Sequence, residues 1–151
     1  MVGDTSAGLL VDTRVWVALE KAEISKQTFI AAVESADSNT EVGAGAGIAI
    51  YTSPVVLAEL KLGVELAPNS IVRQARQAAL DRVLRYPLLN ITRAVAMDMG
   101  VLTAYLASLG KKRQRTQDLW LAASARTHGA TLLTLNARDF ADIPQLQLIH
   151  I

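Results

Sequence analysis

Four carboxylates stand at separate places along the 151-residue chain, each beside an apolar segment. Asp12 follows the run LLV, Glu59 lies within SPVVLAEL, Asp118 opens DLWLAASA and Asp139 lies in TLNARDF. If these segments build a parallel sheet and its helices, the acids gather at the carboxyl ends of the strands, where α/β proteins bind ligands. Acids that converge without matching bases indicate a bound cation, and carboxylate oxygens suit Mg²⁺ or Mn²⁺.

Strand-like and helix-like segments alternate along the chain. Strands separated by helices predict an α/β fold with a central, mainly parallel sheet and right-handed crossovers, and the length favours one domain over residues 1–151. The predicted strands are residues 8–11, 48–53, 88–91 (a short edge strand), 130–134 and 145–149, and the predicted helices are residues 15–22, 25–36, 54–66, 71–86, 93–109 and 117–128. The intervening SADSNTEVGAGAG, residues 35–47, is predicted to be a loop.

Composition excludes several kinds of site. The chain has no cysteine, so it has no disulfide, no thiolate nucleophile and no cysteine-ligated zinc. No apolar run approaches the 18 or so residues of a membrane span, and the start MVGDTSAG lacks the basic residues of a signal peptide. We therefore expect a soluble cytoplasmic protein with no membrane partner.

Charge is distributed unevenly although the net charge is only +1. Residues 1–70 carry nine acidic and four basic side chains, whereas residues 71–151 carry five acidic and eleven basic ones. A basic surface of this kind suits nucleic acid, although an ordinary solvated surface fits the same counts. Four cations that precede Asp118 are candidates to hold phosphates of such a nucleic acid, with a solvated loop as the alternative: Lys111, Lys112, Arg113 and Arg115.

Glu59 is the acid whose orientation helix geometry can test. At 100° per residue, Lys61 and Glu65 lie on the opposite side of the helix, so Glu59 faces inward. A buried carboxylate needs an arginine, hydrogen-bond donors or a metal ion. Glu59 is therefore either a metal ligand or one half of an internal salt bridge.

The other three acids each have a purely structural alternative. Asp12 stands where a helix N-cap is favoured, and Asp118 complements the dipole of the helix that it opens. Asp139 is either a site residue or a turn residue paired with Arg138, and Asp142 is a rival for its role. Three polar neighbours are candidates to support the acids or, alternatively, to form turns and caps: Thr13, Thr134 and Asn136.

Four sequence blocks together resemble a known family. LLVDTRVWVAL, SPVVLAELKLG, DLWLAASARTHGATLLTLNARDF and IPQLQLI occur in the order typical of the PIN-domain ribonucleases, specifically the VapC-like toxins of bacterial toxin–antitoxin pairs. The resemblance covers nearly the whole chain. It implies a three-layer α/β/α sandwich and a Mg²⁺- or Mn²⁺-dependent RNA-cleaving site. The site residues that it implies are Asp12, Glu59, Asp118 and Asp139, with Thr13, Thr134 and Asn136 in support.

The resemblance also implies partners, and the chain departs from the family in two places. The implied partners are an RNA substrate, a cognate antitoxin whose peptide covers the acids, and a second copy of the chain. Arg14 stands where a small or amide residue is common, so it either pairs with an acid, contacts phosphate or faces solvent. VGAGAG lacks the GK[ST] ending of a phosphate-binding loop, which favours a flexible connection.

Two other functions remain open from the sequence. One is an RNA-binding or regulatory module that keeps the fold without turnover, which would bind no metal. The other is a phosphohydrolase of small phosphate esters, which would prefer nucleotides to polymers and would leave the basic segment without a role. Four acids in one set disfavour the first, and the lack of a nucleotide-binding glycine loop disfavours the second.

Overall fold

The computed structural model describes residues 8–38, 47–111 and 116–151. Four strands, six α-helices and one short 3-10 helix occur in these ranges. In chain order they are β1 (Leu9–Val11), α1 (Thr13–Glu20), α2 (Lys26–Ser38), β2 (Ile50–Tyr51), α3 (Pro54–Glu65), α4 (Ser70–Val83), α5 (Arg93–Ser108), α6 (Thr116–His128), β3 (Thr131–Thr134), the 3-10 helix (Ala137–Phe140) and β4 (Leu148–His150). No helix within the described ranges is long and apolar enough to cross a membrane.

The strands form one parallel sheet in the order β2-β1-β3-β4. β1 and β3 are central, and their register pairs Leu9 with Thr131 and Val11 with Leu133. The helices flank this sheet, so the predicted α/β/α architecture with a parallel sheet is confirmed. The carboxyl ends of β1 and β3 therefore lie side by side at one edge of the sheet.

The core explains why these short strands are stable. Leu9, Leu10 and Val11 are completely buried, as are Leu132 and Leu133 of β3. Strands covered on both faces read as continuous apolar runs, as GLLV and ATLLT do. The apolar face of α6 is buried with them: Leu121, Ala122 and Ala125. Small side chains let α6 approach the sheet closely, which fixes the position of Asp118 at its start.

Capping side chains set the helix starts that the sequence predicted. The Ser53 hydroxyl accepts a hydrogen bond from the Val55 amide, with Pro54 in the first helical position of α3. Thr92 caps α5 in the same way through the Val95 amide. After α5, Gly110 has a φ of +71°, the left-handed conformation that ends many helices.

Several predicted boundaries are wrong. α2 continues to Ser38 rather than ending at residue 36, and the predicted edge strand at 88–91 is a single bridge between Thr52 and Leu88. The last strand begins at Leu148 instead of residue 145, because Gln145 has a φ of +56° and interrupts the extended chain. Most of the predicted loop, residues 39–46, lies outside the described residues.

Candidate active site

The ends of β1 and β3 bring Asp12 and Thr134 together. Val11 pairs with Leu133, and the next residue on each strand continues that register, so the Asp12 amide donates to the Leu133 carbonyl at 2.9 Å. The Thr134 hydroxyl donates to Asp12 Oδ2 at 3.0 Å. Both side chains are buried, with Asp12 only 4% exposed. Asp12 occupies the N-cap position of α1 but makes no side-chain capping bond, so the structure uses this carboxylate for something other than a cap.

Glu59, in the middle of α3, is half-buried beside two other acids. Burial raises the pKa of Glu59 above its ordinary value, and the charges of Asp12 and Asp118 raise that pKa further. The Thr13 hydroxyl lowers the Glu59 pKa in part. This hydroxyl has no described partner within full hydrogen-bonding geometry, but it lies close enough to favour the charged carboxylate. Glu59 therefore faces inward, as helix geometry predicted, and lies near two other acids. No salt bridge to Glu59 occurs among the described residues.

Asp118 lies near Asp12 and Glu59, although it belongs to a much later part of the chain. It stands in the first turn of α6 and is half-buried. Its charge acts on Glu59 strongly enough to raise the pKa of that carboxyl, which requires the two groups to be near one another. Asp12, Glu59 and Asp118, separated by more than a hundred residues in sequence, therefore form one acidic group in space.

Asp139 joins this group through a chain of hydrogen bonds. The Asn136 side-chain amide donates to Asp139 Oδ2 at 2.6 Å, and the Asn136 backbone amide donates to Thr134 Oγ1 at 3.0 Å. Thr134 in turn donates to Asp12. Arg14 Nη1 also lies 3.9 Å from Asp139 Oδ2. The TxNxxD spacing thus connects the fourth acid to the first one through two polar side chains.

Asp142, the rival of Asp139, turns toward the basic segment instead. Its carboxylate forms an ion pair with Lys111, and both side chains are exposed. Lys111 is therefore placed by an acid just past the 3-10 helix. The other three predicted RNA-binding residues lie outside the described residues: Lys112, Arg113 and Arg115.

A groove of about 210 Å³ lies beside Glu59, and no sequence pattern predicted it directly. Trp16 is buried and also forms a wall of this groove. Its position four residues after Asp12 on α1 was a usable signal. The contributions of Arg76 and Ala79 come from α4 and depend on how α1, α3 and α4 pack, which spacing alone does not reveal.

The donor set suits a hard divalent cation. Burial and like charges hold the Glu59 pKa high, and a cation beside these acids would relieve that repulsion. The buried Thr13 hydroxyl adds an oxygen without a fully formed partner among the described residues. However, no three acidic or histidine side chains in the described ranges converge closely enough to hold one ion. The residue types fit Mg²⁺ or Mn²⁺, and the side chains would have to draw together around it.

The comparisons with known proteins agree with this fold. The PIN domain model matches residues 9–146, so the chain belongs to the PIN-domain family. Within that family it is similar to proteins named ribonuclease VapC. Ribonuclease VapC1 of Rickettsia felis is 32% identical to it, with 95% of this chain and 96% of that protein covered.

Solved structures show the same likeness in three dimensions. The VapBC2 complex of Rickettsia felis, solved with a DNA fragment from its promoter, contains a chain with a TM-score of 0.75 and 25% identity, covering 95% of this chain and 98% of that one. A chain of the VapBC-5 toxin–antitoxin complex of Mycobacterium tuberculosis has a TM-score of 0.70 and 28% identity, with 97% and 99% covered. The resemblance that the four sequence blocks indicated is confirmed.

Proposed function

We propose that this chain is a metal-dependent endoribonuclease, the toxin of a toxin–antitoxin pair, and that it acts in the cytoplasm. The observation that carries the proposal is the buried Asp12 carboxylate at the ends of β1 and β3, which accepts a hydrogen bond from Thr134 and lies near enough to Glu59 to raise its pKa. Relatives named ribonuclease support the reaction class, and similar chains in toxin–antitoxin complexes support the biological setting.

Asp12, Glu59 and Asp118 would hold Mg²⁺ or Mn²⁺, with Asp139 completing the site directly or through water. When bound, such an ion supplies a Lewis acid that activates water and offsets the charge developing on a phosphodiester. Asp12 brings a buried carboxylate whose orientation the Thr134 hydroxyl fixes. Glu59 and Asp118 bring carboxylates from two helices, which the sheet holds beside Asp12.

The polar neighbours would act by orienting these acids. Thr134 donates to Asp12 while accepting from the Asn136 backbone, so its hydroxyl has a single orientation. Asn136 in turn restrains Asp139. Thr13 favours the charged form of Glu59. Outer hydrogen bonds of this kind orient metal ligands and raise metal affinity.

RNA phosphates would be held by the basic segment before α6, composed of Lys111, Lys112, Arg113 and Arg115. Contacts to phosphates give affinity and register with little sequence discrimination. The ion pair of Lys111 with Asp142 is exposed, so it costs little to exchange for a phosphate.

Cleavage of total cellular RNA with Mg²⁺, with Mn²⁺ and with EDTA tests the reaction. The proposal predicts cleavage that EDTA abolishes and that Asp12→Asn and Asp118→Asn remove, while the matched Asp142→Asn variant stays active. Cleavage in EDTA, or full activity of the Asp12 and Asp118 variants, would refute the mechanism. Loss of activity in Asp142→Asn but not in Asp139→Asn would assign the fourth acid to Asp142.

The two rival functions predict different results with the same protein. A regulatory module without turnover would show no metal binding by calorimetry. A small-ester phosphohydrolase would hydrolyse nucleotides faster than polymeric RNA.

The proposed partners are a cognate antitoxin, whose peptide would cover the acids, and a second copy of the chain. Co-expression with the neighbouring gene product should yield a complex that co-purifies and that suppresses RNA cleavage. Light scattering of the isolated protein should give the mass of a dimer. A monomeric protein that does not bind its neighbouring gene product would contradict both assignments.

A further inference from the structure

Arg14 lies beside Asp139, and it lacks the close partners that three other arginines of the described chain have. Arg76 donates to the Gly63 carbonyl at 2.6 Å, and Arg126 donates to both Pro144 and Asp98. Arg73 likewise bonds the Val64 carbonyl and Glu65. Arg14 makes no hydrogen bond to the described residues and has one long ion pair, 3.9 Å from Asp139. Its guanidinium is therefore the one among these that the fold does not hold in place.

The ion pair with Asp139 does not account for the presence of Arg14. Charge-assisted hydrogen bonds are about 2.7–2.9 Å long, so the 3.9 Å separation is a loose electrostatic contact. Asp139 Oδ2 already accepts a short bond from Asn136, which orients this carboxylate without Arg14. The Arg14 side chain is 42% exposed, and its five N–H donors are largely left for another acceptor.

The position of Arg14 in α1 does not stabilise the helix. It is the second residue of α1, where the positive end of the helix dipole opposes a cation. It stands two residues after Asp12, and its guanidinium lies 3.9 Å from the Asp139 carboxylate. A cation there counters the repulsion between four carboxylates and an approaching polyanion.

We propose that Arg14 binds a phosphate of the RNA at the active site, with Asp139 as its counter-ion when RNA is absent. The proposal rests on the proposed ribonuclease function and adds a residue that the four acids and the basic segment do not include. The planar guanidinium would exchange its loose contact with Asp139 for paired bonds to phosphate oxygens, an arrangement that lysine reproduces only as a point charge.

The test is binding of a fluorescently labelled, mixed-sequence, single-stranded RNA of about ten nucleotides, a length suited to one site. Anisotropy is measured in EDTA over a series of salt concentrations for the wild type, Arg14→Gln, Arg14→Lys and Arg93→Gln. Arg93 is the matched control, because it is also an arginine in the first turn of a helix and is exposed. α5 begins near the opposite end of α6 from Asp118, since Asp98 of α5 contacts Arg126.

Arg14→Gln should weaken binding about tenfold at low salt and lower the salt slope by about 0.7, the value for one phosphate contact on a single strand. Arg14→Lys should restore the slope and part of the affinity, and Arg93→Gln should match the wild type. In cleavage assays Arg14→Gln should raise KM more than it lowers kcat.

Equal slopes for Arg14→Gln and Arg93→Gln, or no RNA binding by the wild type, would overturn the proposal. Higher activity of Arg14→Gln would also overturn it, because Arg14 would then restrain Asp139. If the wild type binds RNA through Arg14 but cleaves none with either metal, the ribonuclease function fails while the Arg14 contact stands.

Discussion

Acidic side chains have different neighbours at the two ends of α6. Near its carboxyl end, Arg126 bonds Asp98 at 3.1 Å and the Pro144 carbonyl at 2.7 Å, with both charged side chains largely buried. At its amino end, Asp118 raises the pKa of Glu59. At the carboxyl end a buried acid is paired with an arginine, and at the amino end the charges of Asp12 and Asp118 raise the pKa of a neighbouring carboxyl. Carboxyls with raised pKa values cluster at functional sites, so the comparison predicts that the acids at the amino end bind a ligand and that Asp98 stabilises the fold.

The largest predicted effect is that removing an acid at the amino end of α6 lowers activity, whereas removing an acid at the carboxyl end lowers stability. Asp118→Asn should lower metal-dependent RNA cleavage by more than the roughly 10–100-fold that outer partners of a metal site typically cost. It should change the free energy of unfolding by less than about 1 kcal/mol, the scale of a helix-end charge. Asp98→Asn should do the reverse, retaining activity while losing stability. RNA cleavage and urea unfolding measured on both variants check the prediction, and a stable, active Asp118→Asn would break the comparison.

The second prediction concerns the matched end alone. Arg126→Met leaves Asp98 buried without its cation and the Pro144 carbonyl without its donor, so it should cost about 2–3 kcal/mol in unfolding free energy. Arg82→Met is the control, because Arg82 is exposed on α4, and it should cost less than about 0.5 kcal/mol. Urea midpoints measure both. Equal stability of the two variants would mean that the Arg126 pair contributes nothing beyond a surface charge.

The third prediction tests the hydrogen bond that orients Asp12. Thr134→Val removes the donor to Asp12 Oδ2 and the acceptor of the Asn136 amide, so metal affinity and activity should fall about tenfold or more. Thr131→Val, the same substitution on the same strand, breaks an exposed bond to Gln147 and should leave both unchanged. Calorimetry with Mn²⁺ gives the affinities. Similar losses in the two variants would indicate general damage to β3.

The sequence predicted the elements better than the contacts between them. Continuous apolar runs identified β1 and β3, and helix geometry turned Glu59 inward, because both depend on local periodicity. The Thr134–Asp12 bond joins residues 122 positions apart and depends on the register of two strands, which no local pattern states. The pair of Arg126 and Asp98 was not predicted for the same reason, since it arises from the packing of α5 on α6.

Boundaries failed where tertiary contacts or a single backbone angle decided them. Residues 88–91 are mostly apolar, which is typical of a strand. However, only Leu88 forms a bridge, with Thr52, and the Leu89 amide donates to the Thr52 carbonyl. The side-chain partners of Asp139 and Asp142, Asn136 for the first and Lys111 for the second, could not be predicted from spacing either. The assignment of Asp139 as the fourth acid stays a prediction, which the Asp139→Asn and Asp142→Asn variants test.

The smallest predicted effect compares two glutamates on α3. The Glu59 pKa is raised above 4.5, chiefly by burial, whereas the Glu65 pKa is lowered below 4.5 by bonds to Lys61 and Arg73. A carboxyl with a raised folded-state pKa binds more protons when folded, so its ionisation destabilises the fold as pH rises above 4.5 through that pKa. A carboxyl with a lowered pKa stabilises the fold above 4.5, and this stability is lost as pH falls through its folded-state pKa.

In metal-free buffer, Glu59→Gln should therefore be more stable than the wild type at neutral pH and equal to it below the unfolded-state pKa. Glu65→Gln should be slightly less stable than the wild type at neutral pH, with the difference vanishing in acid; this effect is small because the carboxyl is exposed. Thermal unfolding from acid to neutral pH in EDTA measures both curves. A Glu59→Gln variant that is less stable than the wild type at neutral pH would mean that Glu59 already has a compensating partner. The acidic end of α6 would then be as well matched as the end that holds Arg126.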